Sequence, residues 1–269
     1  MKIRLLLLYV LLSLCCVVQV QARGGCAAAG GGVSAAAVAD HCASGCTPDD
    51  ADFACLDFET GAVECSFAET VGAGASISYV SHTNTFSCTD KGSKAMQVVA
   101  KDTTATYIKR DMGSTKSTFA LQFYFQVTSE TLANTEVYRL FVAEQINEST
   151  SAMRISFIDT SGTLYLGFYL NQTADIVVNS TNAIALNTWY RIRLFFVDET
   201  TLKVHLAQHN GTAIETIYDS DVSGAPSGSN VPRYLYFGGH NVNAVGDVTL
   251  QYDNIKIDTS AEITTGCTQ

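Results

Sequence analysis

The side chains best placed to do chemistry in this sequence are aromatic, amide and guanidinium groups that alternate with apolar ones. In residues 121–127, Leu121, Phe123, Phe125 and Val127 point one way and Gln122, Tyr124 and Gln126 the other. Residues 153–157 alternate in the same manner and put Arg154 opposite their apolar side. After a Ser161-Gly162 turn, Leu164, Leu166, Phe168 and Leu170 share one face and leave Tyr165 and Tyr169 on the other. Rings offer flat apolar surfaces to sugar faces, while amides and guanidinium groups take hydroxyls. If these strands share one sheet, Gln122, Tyr124, Gln126, Arg154, Tyr165 and Tyr169 form a ligand-binding groove. The single tryptophan, Trp189, begins its run and reads as a core or rim anchor.

Catalytic patterns are harder to find. The acids on predicted strands, Glu144, Asp159 and Glu215, are scattered, and Asp198-Glu199 sits in a turn. No G-x-S-x-G elbow or lysine-bearing phosphate loop occurs, and Gly30-Gly31-Gly32 neither follows a strand nor opens a helix. Tyr165, Tyr169, Arg154, His205 and Arg191 have the types that a polysaccharide lyase uses, but nothing in their spacing brings them together. The expectation is a protein that is not an enzyme.

Positioning such groups needs a stable scaffold, and the cysteines indicate where it folds. Met1 to Arg4 is a basic start, residues 5–18 are apolar, and Val20-Gln21-Ala22 suits signal cleavage after Ala22. No later segment is apolar enough to span a bilayer, so a secreted, extracellular protein is expected. Removing the signal leaves Cys26, Cys42, Cys46, Cys55, Cys65, Cys88 and Cys267, and takes the formal charge from -10 to -12, since Lys2 and Arg4 go and no acid does. Outside the cell these cysteines read as disulfides with one thiol over. A zinc site at Cys42-x3-Cys46 beside His41 is the rival reading, without a second ligand pair at suitable spacing. Cys267 is the third residue from the end, which favours an arrangement where the two ends of the domain meet. The acidic balance, 26 Asp+Glu against 16 Lys+Arg, argues against a nucleic-acid partner.

Residues 23–54 form a Gly/Ala-rich, cysteine-bearing leader with too little bulk for a core. It reads as flexible chain, or as a segment that orders against a neighbouring subunit. Residues 55–269 carry short alternating runs separated by Gly, Asn and Asp turns, with no amphipathic helix. Further runs are 190–196, 202–206, 234–237 and 248–252, and only 3 Pro interrupt the chain. The expected fold is all-β, a two-sheet antiparallel sandwich or jelly roll. N-x-S/T sequons at Asn147, Asn171, Asn179 and Asn210 lie near predicted loops or strand ends, where a glycan would fit.

Four segments carry a family resemblance. Asp57-Phe58-Glu59-Thr60-Gly61 resembles the opening strand of concanavalin A-like lectin/glucanase domains, and residues 92–98 resemble their second element. Residues 187–194, around Trp189-Tyr190-Arg191, are similar to a strand of laminin G-like members, and residues 247–257 to the closing strand. The resemblance implies a concanavalin A-like jelly roll with first and last strands adjacent. It also implies a structural Ca²⁺ held by Glu59, Asp253 and the Gly61 carbonyl, oxygen donors suited to that ion. The glucanases of the superfamily carry E-x-D-x-x-E on one strand, which places two carboxyls for retaining hydrolysis; this sequence has no such run. The reading is therefore a secreted, non-catalytic protein that binds carbohydrate or extracellular matrix, or mediates adhesion. The alternative is a structural subunit of a filament, sheath or coat that self-associates through its N-terminal segment, and a divergent hydrolase or lyase comes last.

Overall fold

A computed structural model describes residues 53–59, 61–63, 67–82, 93–102, 104–134, 136–145, 147–148, 151–170, 178–197, 201–209, 214–223, 231–240, 246–259 and 263. Residues 23–52 of the predicted leader and six of the seven mature-chain cysteines lie outside these residues, as do Asn171 and Asn210, whereas Phe53 and Ala54, expected in the leader, begin the first strand.

The described chain is all-β. Its strands are β1 (Phe53–Leu56), β2 (Phe67–Thr70), β3 (Ser76–Ser81), β4 (Lys94–Ala100), β5 (Thr106–Asp111), β6 (Phe119–Glu130), β7 (Val137–Glu144) and β8 (Ser151–Thr160). They continue as β9 (Thr163–Leu170), β10 (Val178–Ile184), β11 (Trp189–Val197), β12 (Thr201–His209), β13 (Ile214–Ser223), β14 (Tyr234–Gly239) and β15 (Val248–Asp258). An eight-stranded antiparallel sheet runs β13-β12-β11-β6-β15-β4-β3, with β1 also on β15. A seven-stranded sheet runs β10-β9-β8-β7-β14-β5-β2. This is the antiparallel jelly-roll sandwich that the alternation predicts.

Alternation builds the core between the sheets. Phe123 and Phe125 of β6 meet Phe141 of β7, Phe237 of β14, Phe157 of β8 and Tyr252 of β15, and all six are at 0% exposure. Fully burying each such ring is worth about 1.5–3 kcal/mol. The β8–β9 hairpin closes on Ser161 (φ 58°) and Gly162 (φ 83°), the left-handed pair that matches strand twist in a two-residue turn. The β11–β12 hairpin pairs Tyr190 with Gln208 through to Val197 with Thr201.

The ends of the sandwich meet as expected, because β1 pairs antiparallel with β15 from Phe53–Asp258 to Leu56–Ile255. One boundary moves. Residues 57–61, expected to be the opening strand, follow it instead: Phe58 (φ 62°) and Gly61 (φ 73°) turn the chain out of β1. The positive φ of a phenylalanine is not legible from its type.

Candidate functional site

The two sheets divide the expected ligand-binding set. Gln122, Tyr124 and Gln126 lie on β6 of the eight-stranded sheet, and Arg154, Tyr165 and Tyr169 on β8 and β9 of the seven-stranded one. Their strand neighbours pack in the core between the sheets, so the two triplets point away from it in opposite directions and no single groove holds all six. Alternation separates core from outer face; it does not say which sheet a strand joins.

On the outer face of the eight-stranded sheet the β6 residues are closely packed. Gln122 is 0% exposed and Tyr124 1%. Arg193 Nε donates to Gln122 Oε1 at 2.8 Å. Register places Tyr124 between Arg191 and Asp253, and Gln126 between Trp189 and Gln251. Trp189 is buried with its ring 5.0 Å from His82, in keeping with an anchor role. His82 Nε2 lies 3.4 Å from Asp253 Oδ2.

The outer face of the seven-stranded sheet is richer in rings and cations. Register aligns Lys109, Tyr236, Val142, Arg154 and Tyr169 across β5, β14, β7, β8 and β9, a row of roughly 19 Å at normal strand spacing. The Arg154 guanidinium lies 4.5 Å from the Tyr169 ring centroid. Tyr234 sits between Asp111 and Glu144 in the next row. Lys109 Nζ lies 3.9 Å from the Tyr234 ring centroid. Tyr165 is half-buried four residues from Tyr169 along β9, opposite Ile158.

Beneath this row is an aromatic floor. The His240 ring stacks on Tyr236 at 3.9 Å and 8°, and Tyr107 meets both edge-on at 5.0 and 5.1 Å. His240 Nε2 is 2.9 Å from Glu144 Oε1, with Glu144 fully buried. Gly238, between the two aromatic positions, has φ 110°, and a Cβ there would lie 2.6 Å from the Thr106 carbonyl oxygen. Only glycine lets β14 approach β5 this closely. Sequence reading missed Tyr107, Lys109, Tyr234, Tyr236 and His240, although Tyr234-Leu235-Tyr236-Phe237 alternates and so puts both tyrosines on one face.

The charges of this face are fixed by one another. Tyr236 Oη donates to Glu148 Oε2 at 2.9 Å, and Lys109 Nζ donates to the same oxygen at 2.6 Å. The Lys109 hydrogen bond holds the Glu148 carboxyl below its ordinary range. Burial, with the Glu148 bond second, pushes the Tyr236 phenol well above its ordinary value. Arg233 grips Asp111 through two 2.8 Å bonds, and its hydrogen bond holds the Asp111 carboxyl low. None of these three groups is poised to exchange protons near neutral pH.

The two carboxylates expected to hold calcium have other partners. Glu59 Oε1 accepts from Ser93 N at 2.6 Å and Lys94 N at 2.7 Å, and Oε2 from Ser93 Oγ at 2.9 Å. Asp253 faces His82. Gly61 N donates to the Phe58 carbonyl. Among the described residues, no three His, Cys, Asp or Glu side chains come together as metal ligands. Of the other expected sites, Asn147 is exposed in the connection after β7, Asn179 lies in β10, and Cys55 lies in β1 opposite Lys256.

No protein-family model matches the sequence, and no curated protein is similar to it in sequence. Solved structures do share the fold. The cellulose induced protein Cip1 is similar over 79% of this chain and 99% of its own, with TM-score 0.53 and 14% identity. A protein of unknown function from Shewanella oneidensis MR-1 covers 80% of this chain and 89% of its own, with TM-score 0.47 and 16% identity. An alginate lyase from Klebsiella pneumoniae covers 62% and 82%, with TM-score 0.44 and 15% identity. At 14% identity the likeness to Cip1 bears on the fold alone, an antiparallel jelly-roll sandwich.

Proposed function

We propose that the outer face of the seven-stranded sheet binds a carbohydrate chain, and that the protein acts outside the cell as a non-catalytic glycan-binding or adhesive module. The observation that carries this is the row from Lys109 through Tyr236 and Arg154 to Tyr169, flanked by Tyr107 and Tyr234. Tyr107, Tyr234, Lys109, Arg154 and Arg233 are half-buried, so their rings and heads reach a ligand while the floor fixes their positions. Rings stack on sugar faces; Lys109 and Arg233 are already paired with Glu148 and Asp111, and the Arg154 guanidinium over Tyr169 can donate to a sugar carboxylate as well as to hydroxyls. The settled protonation states of Tyr236, Glu148 and Asp111 support binding over proton transfer. The basic start and apolar run of residues 1–18 support secretion.

The test is isothermal titration and affinity electrophoresis against neutral and acidic polysaccharides. Retention on at least one acidic chain is expected, and the double variant Tyr234→Ala/Arg154→Ala is expected to weaken it by roughly tenfold or more. Absence of retention on every chain, or a double variant that binds as well as the parent, would overturn the reading.

One arrangement favours a second reading. His240 paired with buried Glu144 beside Tyr107 is a combination that can take a proton. An eliminating enzyme would move the proton α to a uronate carboxyl onto such a base and expel the glycosidic oxygen, leaving a carbon–carbon double bond. Ultraviolet absorbance appearing on incubation with a uronate polymer would establish that reading in place of the first.

A further inference from the structure

β15 has two different neighbours along one of its edges. β6 follows one side of it from Val248 to Asp258. On the other side, β4 pairs with the stretch from Val248 to Tyr252, and β1 with the stretch from Ile255 to Asp258. The two strands therefore meet end to end opposite Asp253 and Asn254. Asn254 has φ 47°, and the register with β6 shifts between Asp253 and Lys256. Ladder bonds are interrupted there, and the seam is lined by Asp57, Asp253 and Asn254, at 5%, 0% and 4% exposure. Polar groups buried at such a break need partners from outside the ladder.

The chain supplies an interlock. Leaving β1, it turns at Phe58 and Gly61, and the Glu59 carboxylate accepts three hydrogen bonds from Ser93 and Lys94 at the start of β4. In return, the Lys94 ammonium donates to the Glu59 carbonyl at 2.9 Å. A Cβ placed on Gly61 would stand 3.6 Å from that ammonium, so the turn wraps round it.

We propose that the Lys94 ammonium is the resident cation of the turn by which β1 hands over to β4, and excludes a divalent ion from it. Calcium takes six to eight oxygens at about 2.3–2.6 Å. Here the Glu59 carboxylate already accepts two N–H groups and a hydroxyl, its carbonyl oxygen receives the ammonium, and a fixed positive charge stands beside Gly61. Asp253 is turned to His82. Glu59, Gly61 and Asp253 as arranged do not fit the ion that the sequence resemblance implies. The splice of β1 to β4 is made by side chains of the chain itself, the Glu59 carboxylate and the Lys94 ammonium, and folding is independent of calcium.

The test is thermal unfolding of the full secreted chain in EDTA and in millimolar Ca²⁺ or Mg²⁺, with Tb³⁺ luminescence as a direct probe of an oxygen site. The parent is expected to unfold at one temperature in all three buffers and to give no saturable Tb³⁺ signal. Lys94→Met is expected to lower the midpoint by roughly 3–6 °C, and Lys94→Arg by less. Lys94→Ala, which opens the Glu59 carbonyl, is expected to respond to Ca²⁺ more than the parent. A Ca²⁺-dependent rise in the parent's midpoint, saturable Tb³⁺ binding by the parent, or an unchanged midpoint in Lys94→Met would each overturn the proposal. Should Lys94→Met not fold, the parent's own response to Ca²⁺ and Tb³⁺ decides. These readouts are independent of whether the sandwich binds glycan.

Discussion

On the seven-stranded sheet, Arg233 meets Asp111 and Lys109 meets Glu148 at a rim where the carboxylates keep about two-fifths of their side-chain surface in water. On the eight-stranded sheet, Gln122, Tyr124, Arg191 and Asp253 are at most 2% exposed. The first face closes its rim ion pairs at 2.6–2.8 Å; buried polar atoms with no hydrogen-bond partner among the described residues include Gln122 Nε2 and both ring nitrogens of His82 on the second face, and Ser156 Oγ beneath the first. Solvent explains the difference. At a wet rim a charge can be repositioned at little cost, so such pairs aim side chains more than they stabilise the fold. In a dry layer each polar group carries its desolvation cost, so its neighbours matter to stability. The ring-and-cation face suits recognition, while the buried polar face suits rigidity.

The largest effect expected from this contrast follows loss of a buried carboxylate. Asp253→Ala removes the group facing His82 and a strand neighbour of Tyr124, and should cost about 2–4 kcal/mol in urea unfolding. Asp111→Ala, which breaks the bidentate pair at the opposite rim, should cost under about 1 kcal/mol. Equal losses for the two variants would show that the faces do not differ in the way their burial implies.

A smaller effect separates the faces by pH. His205 of β12 lies on the eight-stranded face opposite Arg193 and Asp219, within 3.4 Å of the Thr216 hydroxyl. Burial first, then nearby Arg191, lowers its pKa from 6.5. A group whose folded pKa is depressed gives stability that is present above its unfolded pKa and lost as pH falls toward the folded value. Stability should therefore begin to fall below about pH 6.5, and His205→Gln should remove that first step. A parent whose urea midpoint is flat between pH 7 and pH 5, the window in roughly which this step belongs, would contradict it.

How far the sequence foretells this follows from what alternation can and cannot say. It separates Phe123 from Tyr124 and Leu164 from Tyr165, because period two fixes inside from outside within one strand. It cannot place β6 and β8 in one sheet or two, since that depends on pairings such as Gln122 with Arg193, 71 residues apart. The candidate site is hidden for the same reason: Glu144 and His240 meet across 96 residues, and neither lies in a motif. Glu59 is singled out in the sequence only as a calcium ligand that the family resemblance implies. What it joins, the start of β4 through Ser93 and Lys94, depends on a turn that begins with phenylalanine in a left-handed conformation.

The smallest effect tests the wet rim itself. Lys109, by its hydrogen bond, and then Tyr236 and the charge of Lys109 together lower the Glu148 carboxyl. Its folded pKa lies below the unfolded value, so its contribution is present above about pH 4.3 and fades as pH falls through the folded value. The side chain is 45% exposed, so solvent screening holds that contribution to about 0.5 kcal/mol or less. Glu148→Gln should therefore flatten the stability profile below pH 4.3 only slightly, and added salt should erase most of the difference from the parent. Its effect on glycan retention should be the larger one, because Glu148 orients Lys109 and the Tyr236 hydroxyl at once. If Glu148→Gln instead costs as much stability as Asp253→Ala and leaves retention intact, the seven-stranded face is a second rigid layer, and the division of labour between the two faces fails.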